Sequence, residues 1–248
     1  MRRGIVILLF CVMPLAAVAQ FGDGWHDARS AAMGGCFLPS MDSAVSMDVG
    51  WRQGFMLKGM ATRTVAFGMP VGGLGRAGAL YSAFGDLDYN EQQLAAGGAM
   101  TVAPWLKVMV YGLYSRIGTS DAHYDAQHWL DAGGALTVGG DRVWGYLLAG
   151  SRRWSDTRPW MMHGGLAFRP NRQIVSAVGL SVEERLRLRC GMEYCHEGHA
   201  FVRAGLCTNP LVLTFGVGYR QRHYHIDIAT EVHSTLGVSP QISLGLCL

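Results

Sequence analysis

The strongest constraint on the fold is the strict alternation of residue type along several segments of the chain. From Leu211 to Tyr219 every second residue is large and apolar or aromatic, and the segment 224–232 continues the pattern. Successive side chains of a strand point to opposite faces, so this period indicates β-strands with one apolar face. Turn signals such as Gly118-Thr119-Ser120 and Asn209-Pro210 separate these segments about every 12 to 16 residues.

Counting these segments gives about fourteen strands of roughly ten residues, with twelve as the alternative count, and this is the strand length that a tilted membrane-spanning strand needs. A soluble β-sandwich also shows alternation, but its strands are usually shorter. Although 50% of the chain is hydrophobic, no run of about 18 apolar residues follows Ala19, which excludes a membrane-spanning helix. The predicted fold class is all-β, a transmembrane antiparallel β-barrel whose apolar face meets lipid.

The amino-terminal residues predict export. Arg2 and Arg3 precede the apolar run Ile5–Ala17, and Ala17-Val18-Ala19 is a small-x-small cleavage site, so residues 1–19 are expected to be a signal peptide. We expect residues 20–50 to form a plug segment and residues 51–248 to form the barrel. Loss of the signal lowers the formal net charge from +3 to about +1, which argues against nucleic acid as a partner. Five cysteines remain, and their spacing fixes no disulfide framework.

Two stretches carry a resemblance to a known family. The segment ARSAAMGGCFLPSMDSAVSMDVG (28–50) is similar to the amino-terminal box of the PorV/PorQ-like outer-membrane proteins, a Bacteroidetes-type group in the FadL-type transporter superfamily. Residues 204–246 are similar to that group's closing hairpins. The chain departs from the group at Met47-Asp48-Val49, where an Asn-Pro-Ala step is usual. The resemblance implies a fourteen-stranded outer-membrane barrel with an amino-terminal segment tucked into it.

The resemblance also implies a function without chemistry. The expected role is a barrel that passes or binds hydrophobic or amphipathic small molecules, or one that serves as an accessory to type IX secretion. The expected partners are therefore outer-membrane lipid, an amphipathic or anionic small molecule, and secretion-system components. A structural plugged barrel without transport is the alternative, and an outer-membrane lipid-modifying enzyme is the least favoured one.

Motifs for catalysis or cofactor binding do not emerge from the sequence. His196, Glu197 and His199 lack the spacing of a zinc protease, and Gly198 between them marks a hairpin turn. The glycine-rich stretch 72–78 lacks the Lys-Ser/Thr of a phosphate-binding loop, and there is no G-x-S-x-G motif. We therefore predict no catalytic residue, no metal and no cofactor.

The basic residues are more informative because almost all of them are arginine. In the stretch LRLRCGMEY (186–194), a lipid-facing apolar row would place the arginines on the inner wall. Glu193, Asp227 and Glu231 are the expected compensating carboxylates, and the excess of cations predicts a lumen that favours anions. The lumen-facing candidates for ligand binding are Arg185, Arg187, Arg189, Arg203, Arg220, His223 and His225.

The alternation also predicts the effect of substitutions in the segment 211–219. Arginine at Phe215 is expected to cost about 2 to 4 kcal/mol near the bilayer midplane, whereas arginine at the lumen-facing Thr214 is expected to cost little.

Overall fold

The computed structural model describes residues 27–36, 45–72, 75–121, 123–151, 160–182 and 185–248, so the predicted signal peptide lies outside the described residues. None of the described helices is both long and apolar enough to cross a membrane. The helix and strands are α1 Ala28–Ala32, β1 Ser46–Gln53, β2 Ala61–Val71, β3 Gly75–Gly85, β4 Tyr89–Ala103, β5 Leu106–Thr119, β6 Gln127–Gly139, β7 Val143–Ser151, β8 Trp160–Phe168, β9 Ile174–Val182, β10 Leu186–His196, β11 Ala200–Cys207, β12 Val212–Arg220, β13 Tyr224–His233 and β14 Gly237–Cys247, with a single 3-10 turn at Gly54–Met56.

The strands close into one barrel. Each strand pairs antiparallel with the next in sequence, and β1 also pairs with β14, so that Ser46 lies opposite Cys247 and Arg52 lies opposite Gln241. No strand edge is left open, which removes the unpaired backbone groups that a membrane could not satisfy. The predicted antiparallel barrel of about fourteen strands is confirmed.

The first strand begins earlier than the sequence suggested. β1 starts at Ser46, so residues 46–50 of the range 20–50 belong to the barrel wall. Met47, Val49 and Trp51 are its exposed apolar side chains. Three large residues separated by small and charged ones form a weak alternating pattern, and for this reason the strand was not predicted from the sequence.

Side chains alternate between an apolar outer face and a polar inner face. On β12, Phe215 is 52% exposed, whereas its neighbour Thr214 is 2% exposed. On β10, Leu188 and Met192 are exposed, whereas Arg189 and Glu193 are buried. The stretch LRLRCGMEY is therefore a barrel strand with its apolar residues outward, as expected of a transmembrane barrel.

The two ends of the barrel differ in their connections. The end where β1 starts and β14 ends, called here the terminal end, carries connections of two to five residues at 104–105, 140–142, 169–173, 197–199 and 221–223. The opposite end carries connections of three or four residues at 86–88, 208–211 and 234–236, together with the seven-residue connections 54–60 and 120–126. Bacterial outer-membrane barrels have short periplasmic turns and longer extracellular loops.

Residues 27–36, called here the lumenal segment, lie inside the barrel. The helix α1 packs mainly against β12 and β13, with further contacts to β11 and β14. Ala28, Ala31 and Ala32 are almost completely buried, and Ala28, Ala31, Ala32 and Ala229 of β13 form one apolar cluster. The segment is thus packed against the inner wall.

Candidate functional site: the lumenal segment and its seat

The lumenal segment has a compact local structure that its sequence explains. The carboxylate of Asp27 accepts a hydrogen bond from the backbone N–H of Ser30 at 2.7 Å, which caps the start of α1. The helix ends in a turn where Gly34 and Gly35 have φ angles of 71° and 75°. Glycine adopts this left-handed conformation without a steric penalty, so the Gly-Gly pair allows the chain to reverse directly after one and a half helical turns.

Three glycines of the wall make room for this turn. Gly191, Gly205 and Gly216 lie on β10, β11 and β12, and Gly191 is the register partner of Gly205. A Cβ at Gly191 or Gly205 would overlap the backbone of Met33 or Gly34, and a Cβ at Gly216 would overlap the Cβ of Ala32. The close approach of the two backbones is therefore possible only without side chains here.

Two wall side chains bind the backbone of the segment directly. The Thr214 hydroxyl accepts from the N–H of Gly34 at 3.0 Å and donates to the carbonyl of Ala32 at 2.9 Å. Arg189 donates from Nη1 to the carbonyl of Gly35 at 2.9 Å and from Nε to the hydroxyl of Ser181 at 3.0 Å. These bonds satisfy backbone groups that are buried between the segment and the wall.

A buried ion network joins the segment to three strands. Arg29 of α1 binds Glu193 of β10 through two hydrogen bonds of 2.8 Å. Glu193 also accepts from Arg203 of β11 at 2.7 Å, and Arg203 reaches Asp227 of β13 at 2.5 Å. The side chains of Glu193, Arg203 and Asp227 are at most 4% exposed. Two cations and two carboxylates balance, so the network has no net charge.

Two further pairs lie on the inner wall away from the segment. Arg52 of β1 binds Glu231 of β13 at 2.5 Å, with side-chain exposures of 27% and 22%. His225 of β13 lies 3.0 Å from Asp48 of β1. These contacts join the first strand to the closing part of the barrel and do not involve residues 27–36.

The seven lumen-facing candidates from the sequence occupy different environments. Arg189 and Arg203 contact the lumenal segment or its ion network, and His225 pairs with Asp48. Arg187 is half-buried on the inner face of β10, and Arg185 is exposed just before that strand. At the terminal end, the Arg220 guanidinium carbon lies 5.6 Å from the Phe201 ring centroid, and the exposed His223 places Nδ1 3.3 Å from the carbonyl of Cys247.

The carboxylates that were expected to compensate the arginines of β10 bind mainly other arginines. Glu193 and Asp227 bind Arg203, Glu193 also binds Arg29, and Glu231 binds Arg52. Sequence reasoning missed Arg29 because a single arginine in a short segment shows no periodicity. The sequence signal for Arg29 was its position among the small residues of ARSAA, because a helix of small residues can approach the barrel wall closely.

A second part of the lumen is apolar and aromatic. Met33 and Cys36 of the lumenal segment form a cluster with Trp144, Ala167, Val175 and Ala177 of β7, β8 and β9. Tyr146 of β7 packs its ring over Gly165, and Leu113 of β5 is buried on the same inner face. Among the described residues, no group of three His, Cys, Asp or Glu side chains is arranged to hold a metal ion. In this part of the lumen the wall presents apolar side chains to the lumenal segment.

Burial also fixes the chemistry of the segment's thiol. Desolvation raises the pKa of Cys36 to about 12, against an ordinary value of 9.0. The thiolate is the reactive form of cysteine, so Cys36 is unreactive while the segment is seated.

Comparisons with known proteins bear on the fold. No protein-family model and no curated protein matches the chain. The toluene transporter TbuX of Ralstonia pickettii has a TM-score of 0.60 at 13% identity, over 89% of this chain and 97% of that one. The CymD monoaromatic hydrocarbon channel has a TM-score of 0.61 at 11% identity, over 89% and 96% of the two chains. The P. putida toluene transporter TodX has a TM-score of 0.60 at 12% identity, over 90% and 98%. At these identities the likeness shows that this chain has the barrel fold of these transporters and channels.

Proposed function

We propose that the protein is a non-enzymatic channel of the outer membrane that passes or binds hydrophobic or amphipathic small molecules. In this proposal residues 1–19 direct export, and the lumenal segment is a plug that closes the channel. The observation that carries the proposal is the seat of the segment, where wall glycines, backbone hydrogen bonds and a neutral ion network converge on residues 27–36. Such a seat holds the segment across the lumen without covalent attachment.

The class of solute follows from the inner surface near the plug. The cluster around Trp144 offers apolar contacts and one indole N–H that has no hydrogen-bond partner among the described residues. Ligand sites that are mostly apolar with a few polar groups suit hydrophobic and amphipathic molecules. The names of three structural neighbours, two toluene transporters and a monoaromatic hydrocarbon channel, support the same class.

The charged candidates divide into two roles in this proposal. Arg189 and Arg203 hold the plug and its network, so they are available to a ligand only after the plug leaves. Arg185 and Arg187 lie toward the opposite end, whereas Arg220 and His223 lie at the terminal end. In this proposal each pair meets the head group of an anionic or amphipathic ligand as the ligand enters or leaves the channel. The predicted preference for anions then arises mainly at the terminal end rather than along the whole lumen.

A role as an accessory to secretion is the second candidate, and the resemblance of residues 28–50 and 204–246 to PorV/PorQ-like proteins favours it. Short connections at the terminal end leave little protein outside the barrel there for a partner to contact. We therefore rank transport or ligand binding first.

Uptake and swelling together test the proposal. Cells that make the protein should take up a slowly permeating lipophilic aromatic probe faster than cells with an empty vector. Liposomes containing the intact protein should not swell in small sugars, whereas liposomes containing a variant that lacks residues 20–36 should swell. If neither uptake nor swelling exceeds the controls, the protein is a structural barrel and the proposal is refuted.

A further inference from the structure

The turns of the terminal end are basic. The described residues of these turns and of the adjoining strand ends include five arginines and two carboxylates: Arg142, Arg169, Arg172, Arg220, Arg222, Asp141 and Glu197. The described connections of the opposite end show the reverse balance, with Asp86, Asp88, Asp121 and Asp125 against Lys58 and Arg185. Among the described residues, the two ends of the barrel therefore differ in the sign of their formal charge.

Three of these arginines form no ion pair with any described residue. Arg142, Arg172 and Arg222, called here the basic rim, are exposed, and none forms an ion pair within the described part of the chain. By contrast, Arg169 lies over the Trp144 ring at 5.3 Å, and Arg220 lies 5.6 Å from the Phe201 ring. These two arginines turn toward inward-facing aromatic rings, which leaves the basic rim as the outward charge of this end.

Aromatic side chains on the outer face mark the depth of the basic rim. Phe168, Tyr219 and Tyr224 are exposed outward-facing residues at the strand ends next to the rim turns. Aromatic residues at such positions lie at the membrane interface. Arg142 precedes β7 by one residue, and Arg172 and Arg222 precede β9 and β13 by two residues each. At no more than about 3.3 Å per residue, each arginine lies within about 7 Å of a strand end. Each headgroup layer is about 5 to 7 Å thick, so the basic rim lies at the height of lipid phosphates.

The lengths of the connections indicate which membrane leaflet the terminal end faces. Bacterial barrels have their shorter connections on the periplasmic side. The terminal-end connections named above are at most five residues long, whereas the opposite end includes two of seven residues. The lipid that faces this end is therefore phospholipid of the periplasmic leaflet. Arginine matches phosphate because its planar guanidinium donates two parallel hydrogen bonds to phosphate oxygens.

We propose that Arg142, Arg172 and Arg222 bind the phosphate groups of anionic phospholipids in the periplasmic leaflet, and that this contact fixes the height and orientation of the barrel. The inference rests on the proposed membrane location but not on the solute that the channel carries. It assigns a binding surface to residues that neither the lumenal segment nor the lumen uses.

Native mass spectrometry of the full folded chain in detergent tests the assignment, with phosphatidylglycerol and phosphatidylcholine as the two probes. The wild type should bind phosphatidylglycerol at least tenfold more tightly than phosphatidylcholine. The variant R142Q/R172Q/R222Q should lose most of this preference, since one cation near an anionic lipid surface contributes roughly a fivefold factor. The matched control K58Q/R63Q/R116Q removes three cations from the opposite end and should keep the preference.

The possible outcomes separate cleanly. Equal binding of both lipids by the wild type, or an unchanged preference in R142Q/R172Q/R222Q, overturns the inference. An equal loss in the control variant also overturns it, because net charge and not position would then decide. Insertion of each variant into neutral liposomes, followed by heat-dependent gel migration, reports membrane placement and folding separately. A failure of the wild type to insert would refute the proposed membrane location. A wild type that inserts but does not prefer phosphatidylglycerol would refute only the role of the basic rim.

Discussion

Replacing Glu193 by glutamine should release the lumenal segment from its seat. Glu193 is the only carboxylate that the described structure places in an ion pair with Arg29, through two hydrogen bonds of 2.8 Å. Arg203 would retain Asp227, so the wall keeps one buried pair. The loss therefore falls mainly on the contact between the segment and the wall, because Arg29 can regain hydration only by leaving the seat.

The magnitude follows from the burial of the pair. Removing one partner of a buried ion pair costs about 3 to 5 kcal/mol, and the low end applies because the Arg29 side chain is 18% exposed. A change of about 3 kcal/mol alters the ratio of released to seated segment by more than about a hundredfold. Glu231→Gln is the matched control, since Glu231 pairs with Arg52 in a more exposed site and such pairs contribute about 0 to 1 kcal/mol.

Maleimide labelling of Cys36 measures the release. The assay uses a chain in which Cys11, Cys190, Cys195, Cys207 and Cys247 are replaced by serine, so that Cys36 is the only thiol. When reseating is faster than labelling, the rate is proportional to the released fraction. Glu193→Gln should raise it about a hundredfold, and the control should raise it no more than about fivefold. Equal rates in the two variants would show that the ion network does not hold the segment.

Three further predictions concern the outer face, the glycine seat and pH. Phe215→Arg should lower the free energy of unfolding in vesicles by about 2 to 4 kcal/mol, against about 0 to 1 for Leu211→Arg near the interface; equal losses would contradict the assigned membrane depth. Gly205→Ala should speed Cys36 labelling because its Cβ has no room, whereas Gly112→Ala, with nothing within 4 Å, should not; the reverse order would refute the seat. Because burial raises the pKa of Cys36 to about 12 from 9.0, the seated state keeps the thiol protonated and is fully favoured below pH 9. This advantage of the seated over the released segment is lost as pH rises from 9 toward 12, so channel conductance should increase over that range. If a C36A variant shows the same increase, the thiol is not its cause.

The strands of the barrel wall could be predicted from sequence because the pattern that defines them involves only residues close together in the chain. On β10 and β12 each side chain's face follows from its neighbours two residues away, since lipid and lumen select opposite residue types. β1 was missed because its inward positions are Asp48, Gly50 and Arg52, which leave only a short apolar row.

The seat of the lumenal segment could not be predicted because its contacts are distant in sequence. Arg29 and Glu193 are 164 residues apart, and Thr214 meets Gly34 across 180 residues. Periodicity assigns Thr214 to the inner face but does not show that another segment covers it. The structure leads us to expect, in place of the small cost predicted from the sequence, a substantial cost for arginine at Thr214, since the buried hydroxyl bonds two backbone groups of the segment.

The conductance of single channels in planar bilayers tests the central claim most directly. The intact protein should show a closed or very small conductance, because residues 27–36 occupy the lumen. A variant that lacks residues 20–36 keeps β1 and all other strands, so the barrel should remain closed on itself and give a large, stable conductance. If the two proteins conduct equally, the lumenal segment does not block the passage, and the account of the protein as a plugged channel is contradicted.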